Sequence, residues 1–113
     1  MRHGLRSRPA AAELAALPDQ SRPAALFTAN DLTTMGAIGG GMHAQLALVG
    51  FDEFALADKL TPPISLVAQD PDVTGTTAAT MLFARINGDV TPPRELILRT
   101  RFISRGSEEI SLR

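Results

Sequence analysis

Three short apolar runs recur along the chain, and each ends on amide or carboxylate side chains. Ala24-Ala25-Leu26-Phe27-Thr28-Ala29 leads to Asn30-Asp31, and Ile64-Ser65-Leu66-Val67-Ala68 leads to Gln69-Asp70. Between them, Ala44-Gln45-Leu46-Ala47-Leu48-Val49 leads to Gly50-Phe51-Asp52-Glu53. A near-continuous apolar run bounded by polar residues reads as a strand buried on both faces of a parallel sheet. Gly50 lets the chain bend or lie close to a neighbour. Ligands of open α/β sheets bind at the carboxyl ends of the strands, which is where these runs deliver their polar residues. Amides both donate and accept hydrogen bonds, whereas carboxylates only accept. Such a cluster suits a neutral, hydroxyl-rich ligand better than an anion.

Between the runs the pattern turns helical. Pro9 followed by Ala10-Ala11-Ala12-Glu13-Leu14-Ala15-Ala16-Leu17 predicts a helix, since proline fits the first turn and alanine has the best propensity. Pro18-Asp19 ends it, and residues 20–23 form a loop into the first strand. Residues 32–38 predict a second helix, with Asn30 or Asp31 as its N-cap. Gly39-Gly40-Gly41 should stop that helix, because each glycine costs roughly 1 kcal/mol against alanine. The triplet is no phosphate loop, having no following Lys-Ser or Lys-Thr and no strand directly before it. Residues 53–60 read as a short amphipathic turn closed by Thr61-Pro62-Pro63, with Asp58 and Lys59 on a solvated face.

Asp70-Pro71-Asp72 combines a capping acid, proline at the first helical position and a second acid in the first turn. The helix it opens runs to Ile86, where Asn87-Gly88-Asp89 stops it. Ala78, Ala79, Leu82, Phe83 and Ile86 share one face, which predicts burial against the core or a partner subunit. After Pro92-Pro93, residues 94–103 read as one or two strands with a solvent-facing side at Arg99 and Arg101.

Composition narrows the function classes. At 113 residues and 44% hydrophobic content the chain is one domain or less, with enough apolar material for a core. Aromatics are only 4%, without Trp or Tyr, so stacking recognition of single-stranded nucleic acid has little to use. A net charge of −1 is not the footprint of a DNA-binding surface. The basic arm of residues 1–9 holds four positive groups (Arg2, His3, Arg6, Arg8) at most, and has no apolar stretch that would make it a signal peptide. Without cysteine, disulfides and thiolate metal sites are excluded. No run approaches the ~18 apolar residues of a membrane span, so a cytoplasmic chain is expected. His3 and His43 are isolated surface histidines by this reading, and no metal site or cofactor is expected.

The order of motifs resembles a known family. Pro23 to Asp31, Met35-Gly36-Ala37, Val49-Gly50-Phe51-Asp52-Glu53, Leu60-Thr61-Pro62-Pro63-Ile64, Gln69-Asp70-Pro71, Gly75 and Ser104-Arg105-Gly106-Ser107 follow one another. Together they resemble the C-terminal part of the effector-binding, periplasmic-binding-protein-like domain of the lactose-repressor (LacI/GalR) family of transcription regulators. The likeness covers roughly residues 22 to 110. It departs from the family at the glycine triplet, where residues 32 to 49 give a shorter crossover than the relatives carry. That length still exceeds the ~10–12 residues a βαβ crossover needs.

The resemblance implies an α/β fold: the parallel-sheet lobe of a type I periplasmic-binding-protein-like fold, three-layer α/β/α and incomplete. Residues 1–21 are then an arm and helix, and 22–113 the C-terminal lobe. It implies effector contacts at Asn30 and Asp52, with Gln69 as a third, and a carbohydrate as the effector. For Asp70 the capping role prevails. The helix after Asp70 is implied to lie at the interface of a homodimer. Operator DNA would be reached only through a helix-turn-helix that these residues do not contain, and the chain is expected to be a truncated part of such a regulator. A sugar-binding protein of an uptake system is the alternative. An enzyme is not expected: Asp31, Asp52 and Glu53 could supply acid and base, but nothing in their spacing selects them. No Gly-x-Ser-x-Gly motif or nucleophile–histidine pairing occurs.

Overall fold

The computed structural model describes residues 11–109, so the basic arm and Pro9 lie outside the described residues. The chain divides into two compact units, one running to Ala68 and resuming at Arg101, the other spanning Gln69–Thr100. The first unit holds a four-stranded sheet of order β1-β2-β3-β4. Its strands are β1 (Ala25–Thr28), β2 (Ala47–Phe51), β3 (Ser65–Ala68) and β4 (Arg101–Ile103). The three apolar runs supply β1, β2 and β3, which pair in parallel. The fourth strand is antiparallel to β3, which makes the sheet mixed rather than purely parallel.

Helix α1 (residues 11–16) ends before Pro18, and Arg22 fastens that end by donating to the carbonyls of Ala15 at 2.7 Å and Leu17 at 2.9 Å. Helix α2 (Asp31–Gly39) stops at the glycine triplet, as its propensity cost predicts. The Gly40 and Gly41 amides donate to the carbonyls of Gly36 and Ile38, and Gly41 takes φ +75°. A short 3₁₀ turn, Met42–Ala44, then leads into β2. His43 on this turn is half-buried rather than a surface residue, and its Nδ1 is buried without a hydrogen-bond partner.

The core lies on one face of the sheet. Leu48, Ile64 and Leu66 are fully buried there with Met42, Leu46, Ala37 and Ala57. Along β2, Leu48 and Gly50 are buried while Ala47, Val49 and Phe51 are half-buried. Burial therefore alternates, as it does in a strand with one sealed face, and is not continuous on both. Gly50 explains how closely α2 sits on this face. A Cβ at Gly50 would lie 2.7 Å from Thr34 Oγ1 and 2.7 Å from Leu66 Cδ2. Thr34 is fully buried, shares a 2.6 Å hydrogen bond with Thr28 Oγ1 and donates to the Asn30 carbonyl at 2.9 Å.

The other edge of the core is tied by serines. Ser107 follows β4, is fully buried, accepts from the Ser65 amide at 2.8 Å and donates to the Leu48 carbonyl at 2.6 Å. Ser65 Oγ accepts from the amides of Arg105 and Gly106 and donates to Glu108 Oε2. Burial pushes the Glu108 carboxyl up, but hydrogen bonds from the Ser104 and Ser65 hydroxyls and nearby amides outweigh it. The group sits below the ordinary glutamate value of 4.5.

In the second unit, α3 (Pro71–Ile86) starts as its sequence predicts. Asp70 Oδ1 accepts from the amides of Asp72 and Val73, with proline at the first position. Its apolar face is not buried: Leu82, Phe83 and Ile86 are 58%, 60% and 66% exposed. Of the one or two strands expected over residues 94–103, one forms, at the C-terminal end of that stretch. Residues 92–100 pair with nothing in a sheet, and β4 begins only at Arg101. Without a pairing strand, this unit has no second layer of its own to lay against the helix.

Two outcomes follow from the packing. Gly50→Ala forces α2 or Leu66 to shift and destabilises the chain by about 1–3 kcal/mol in urea denaturation. Ser107→Ala strands the Ser65 amide and the Leu48 carbonyl and costs about 1–3 kcal/mol by the same measurement. Because the folded Glu108 pKa is lowered, its contribution is complete above the ordinary glutamate value and is lost as pH falls through the folded value. Thermal melts between about pH 7 and about pH 3 should show this loss only on the acidic side, and Glu108→Gln should flatten it.

Candidate functional site

The parallel register decides which polar residues meet. Thr28 of β1 is paired with Gly50 of β2, and Asn30 and Asp52 each follow two residues later. Neighbouring strands lie about 4.8 Å apart, so the chain leaves the sheet at the same carboxyl edge after both β1 and β2. Asn30 and Asp52 therefore both follow the carboxyl ends of adjacent parallel strands.

Asn30 is the N-cap of α2, with its Oδ1 accepting from the Thr33 amide at 2.8 Å. Asp31, the competing candidate for this cap, instead opens the helix, and its Oδ1 accepts from the Leu32 amide. Capping uses the carbonyl oxygen of Asn30 and leaves its amide nitrogen as the group suited to donate to a ligand. The Thr34 bond to the Asn30 carbonyl fixes the backbone at the same point. Two demands, cap and ligand contact, can therefore be met by opposite ends of one amide.

Asp52 is half-buried and takes the left-handed conformation, with φ +79°. Asp and Asn are among the few non-glycine residues that adopt it with any frequency. Its amide donates to the Val67 carbonyl at 2.9 Å, the last rung between β2 and β3. The chain then turns sharply and Glu53 meets Arg105. The Arg105 guanidinium donates to Glu53 Oε1 at 3.0 Å and Oε2 at 2.7 Å, and to the Ile64 carbonyl at 3.0 Å. Hydrogen bonding to Arg105, aided by its charge, holds the Glu53 carboxyl below its ordinary range against a smaller effect of burial, and raises Arg105 in return.

Gln69, the next residue after β3, belongs to the second unit. There it lines an open cavity of about 250 Å³ with Asp70, Val73, Thr74, Leu98, Arg99 and Thr100. A different cavity of about 230 Å³ lies at the amino ends of β1 and β2, lined by Leu14, Pro23, Met42, Leu46 and Arg22 among others. It is far from the carboxyl edge by strand polarity.

Sequence reasoning missed the Glu53–Arg105 pair and the serine lock. Ser104-Arg105-Gly106-Ser107 reads only as a turn, because its partners stand some forty to sixty residues away. One signal was present: a buried hydroxyl such as Ser65, set between Ile64 and Leu66, requires a partner.

Comparison with known proteins supplies the family. Residues 2–108 match the periplasmic binding protein-like domain family. The transcriptional regulator CelR of Thermobifida fusca is 33% identical over 89 residues, covering 74% of this chain and 26% of the relative. The ribose operon repressor of Escherichia coli K12 is 33% identical over 92 residues, covering 76% of this chain and 28% of the relative. The structure of a CelR–cellobiose complex superposes with a TM-score of 0.74 at 30% identity, covering 92% of this chain and 33% of that one. The chain spans about a quarter to a third of the length of these regulators, none of which is described as an enzyme. The matched residues, the mostly parallel sheet and the motif order converge: the chain belongs to the periplasmic-binding-protein-like domain family and corresponds to part of the effector-binding region of LacI-family transcription regulators.

Proposed function

We propose that the chain is the sugar-sensing and dimerising part of a LacI-family transcription regulator acting in the cytoplasm. The observation that supports this reading is the parallel register of β1 and β2, after whose carboxyl ends Asn30 and Asp52 follow at matching positions. An amide donor next to a carboxylate acceptor matches the alternating donors and acceptors of a sugar's hydroxyls. Among relatives, one regulator is seen with cellobiose and another with ribose, which supports a carbohydrate effector. Gln69 is the third proposed contact. Residues 22–113 act as the C-terminal lobe of the effector-binding domain, with residues 1–21 as an arm and helix. A sugar-uptake protein is less favoured, since the matched relatives are regulators.

In the whole regulator, effector binding would shift the balance between two arrangements by its differential affinity for them, and that balance would be read by DNA-binding heads outside these residues. Dimerisation is supported by the uncovered apolar face of α3, where Leu82, Phe83 and Ile86 are exposed. No cofactor is invoked, since hydrogen-bonding side chains suffice for this recognition.

Calorimetric titration of the 113-residue chain with cellobiose or ribose should show weak binding, on the order of millimolar, because one lobe offers only part of the contacts. Asp52→Asn should lower affinity at least about tenfold with a stability change under about 1 kcal/mol, since Asn tolerates the left-handed backbone. Asp52→Ala should add about 1 kcal/mol of destabilisation from the positive φ alone. Undiminished sugar binding by Asp52→Asn would remove Asp52 from the site. Sedimentation equilibrium should show a dimer that Phe83→Glu dissociates, and gel shift should show no specific binding to a palindromic operator.

A further inference from the structure

The turn after β2 holds Asp52 in a backbone conformation that a non-glycine residue seldom keeps unaided. Such conformations persist where the surroundings over-determine them. Two fixed points flank Asp52. On one side its own amide is bonded to the Val67 carbonyl at 2.9 Å. On the other, Glu53 is gripped through both carboxylate oxygens by Arg105, at 3.0 and 2.7 Å.

Arg105 is itself anchored. Its backbone amide donates to Ser65 Oγ at 2.8 Å and its guanidinium also reaches the Ile64 carbonyl at 3.0 Å. Its side chain is only 17% exposed, against 40% for Glu53. This is unlike an ordinary surface ion pair, which is worth little and fixes nothing. A bidentate fork plus a backbone carbonyl specifies direction, which an ammonium group could not do.

We propose that Arg105 is a positioning residue for the sugar-binding edge: by clamping Glu53 against the start of β3, it keeps Asp52 in its left-handed turn at the carboxyl end of β2. The arginine touches no ligand. Its effect on affinity is indirect, since binding weakens in proportion to the fraction of molecules whose Asp52 is correctly placed. The consequence for sugar rests on the function proposed above, whereas the clamp itself does not.

The test uses the full 113-residue chain with Arg105→Lys, Glu53→Gln and the charge-swapped double variant Glu53→Arg/Arg105→Glu. Amide hydrogen exchange by NMR reads the Asp52 bond directly. Exchange at Asp52 should rise about tenfold or more in both single variants, while the buried-strand amides of Leu48 and Leu66 keep wild-type rates. The double variant should restore part of the protection at Asp52. An unchanged Asp52 rate, or an equal rise across the whole sheet, would overturn the proposal. Should Arg105→Lys fail to fold, Glu53→Gln gives the same decision with the arginine left in place.

Titration with cellobiose and ribose provides the second readout. Arg105→Lys should bind the sugar that the wild type binds about tenfold more weakly, with core exchange unaltered. Equal affinity in the variant overturns the positioning role. If the wild type binds neither sugar, it is the effector reading that fails, and the Asp52 exchange rate still decides the clamp.

Discussion

No side chain fits at Gly50. Thr34 and Leu66 already occupy the space a Cβ would take, and this absence lets α2 settle onto β2. From that contact the rest of the edge follows. Thr34 sits deep enough to bond both Thr28 and the Asn30 carbonyl. The start of α2 is thereby fixed to the end of β1, and Asn30 is fixed as the helix cap. Because Thr28 and Gly50 are register partners, the same close approach aligns the ends of β1 and β2. A larger residue at position 50 would disturb the packing and the site geometry together.

Polar groups do the corresponding work on the returning segment. Ser107 bridges the Leu48 carbonyl and the Ser65 amide, both buried backbone groups that would otherwise go unsatisfied. Arg105 leaves the same turn in the other direction and fastens Glu53. The last described residues thus reach back to both ends of β2, and a turn without catalytic chemistry becomes the element that ties β2 to the start of β3. Stability and site geometry are coupled here through hydrogen bonds rather than apolar area.

The second unit obeys different rules. Helix α3 is well specified locally, from its Asp70 cap to the glycine at position 88 with φ +101°. Arg85 gathers the carbonyls of Asp89, Thr91 and Pro92 around the helix end. Yet the apolar stripe that signalled burial has nothing of its own unit over it. Periodicity reports that a face wants cover; it does not say which residues provide it.

Local chemistry in the chain was enough to place β1, β2 and β3, the stop at the glycine triplet, the Asp70 cap and the polar tips at Asn30 and Asp52. Each depends on residues adjacent in sequence, where propensity, capping and apolar runs act. The left-handed Asp52, the antiparallel β4 and the Arg105 pairing with Glu53 were decided only when distant segments packed. Hydrogen bonds spanning some forty to sixty residues leave no periodic trace in a sequence. Their partners are selected by the three-dimensional positions of backbone groups that burial leaves in need of satisfaction.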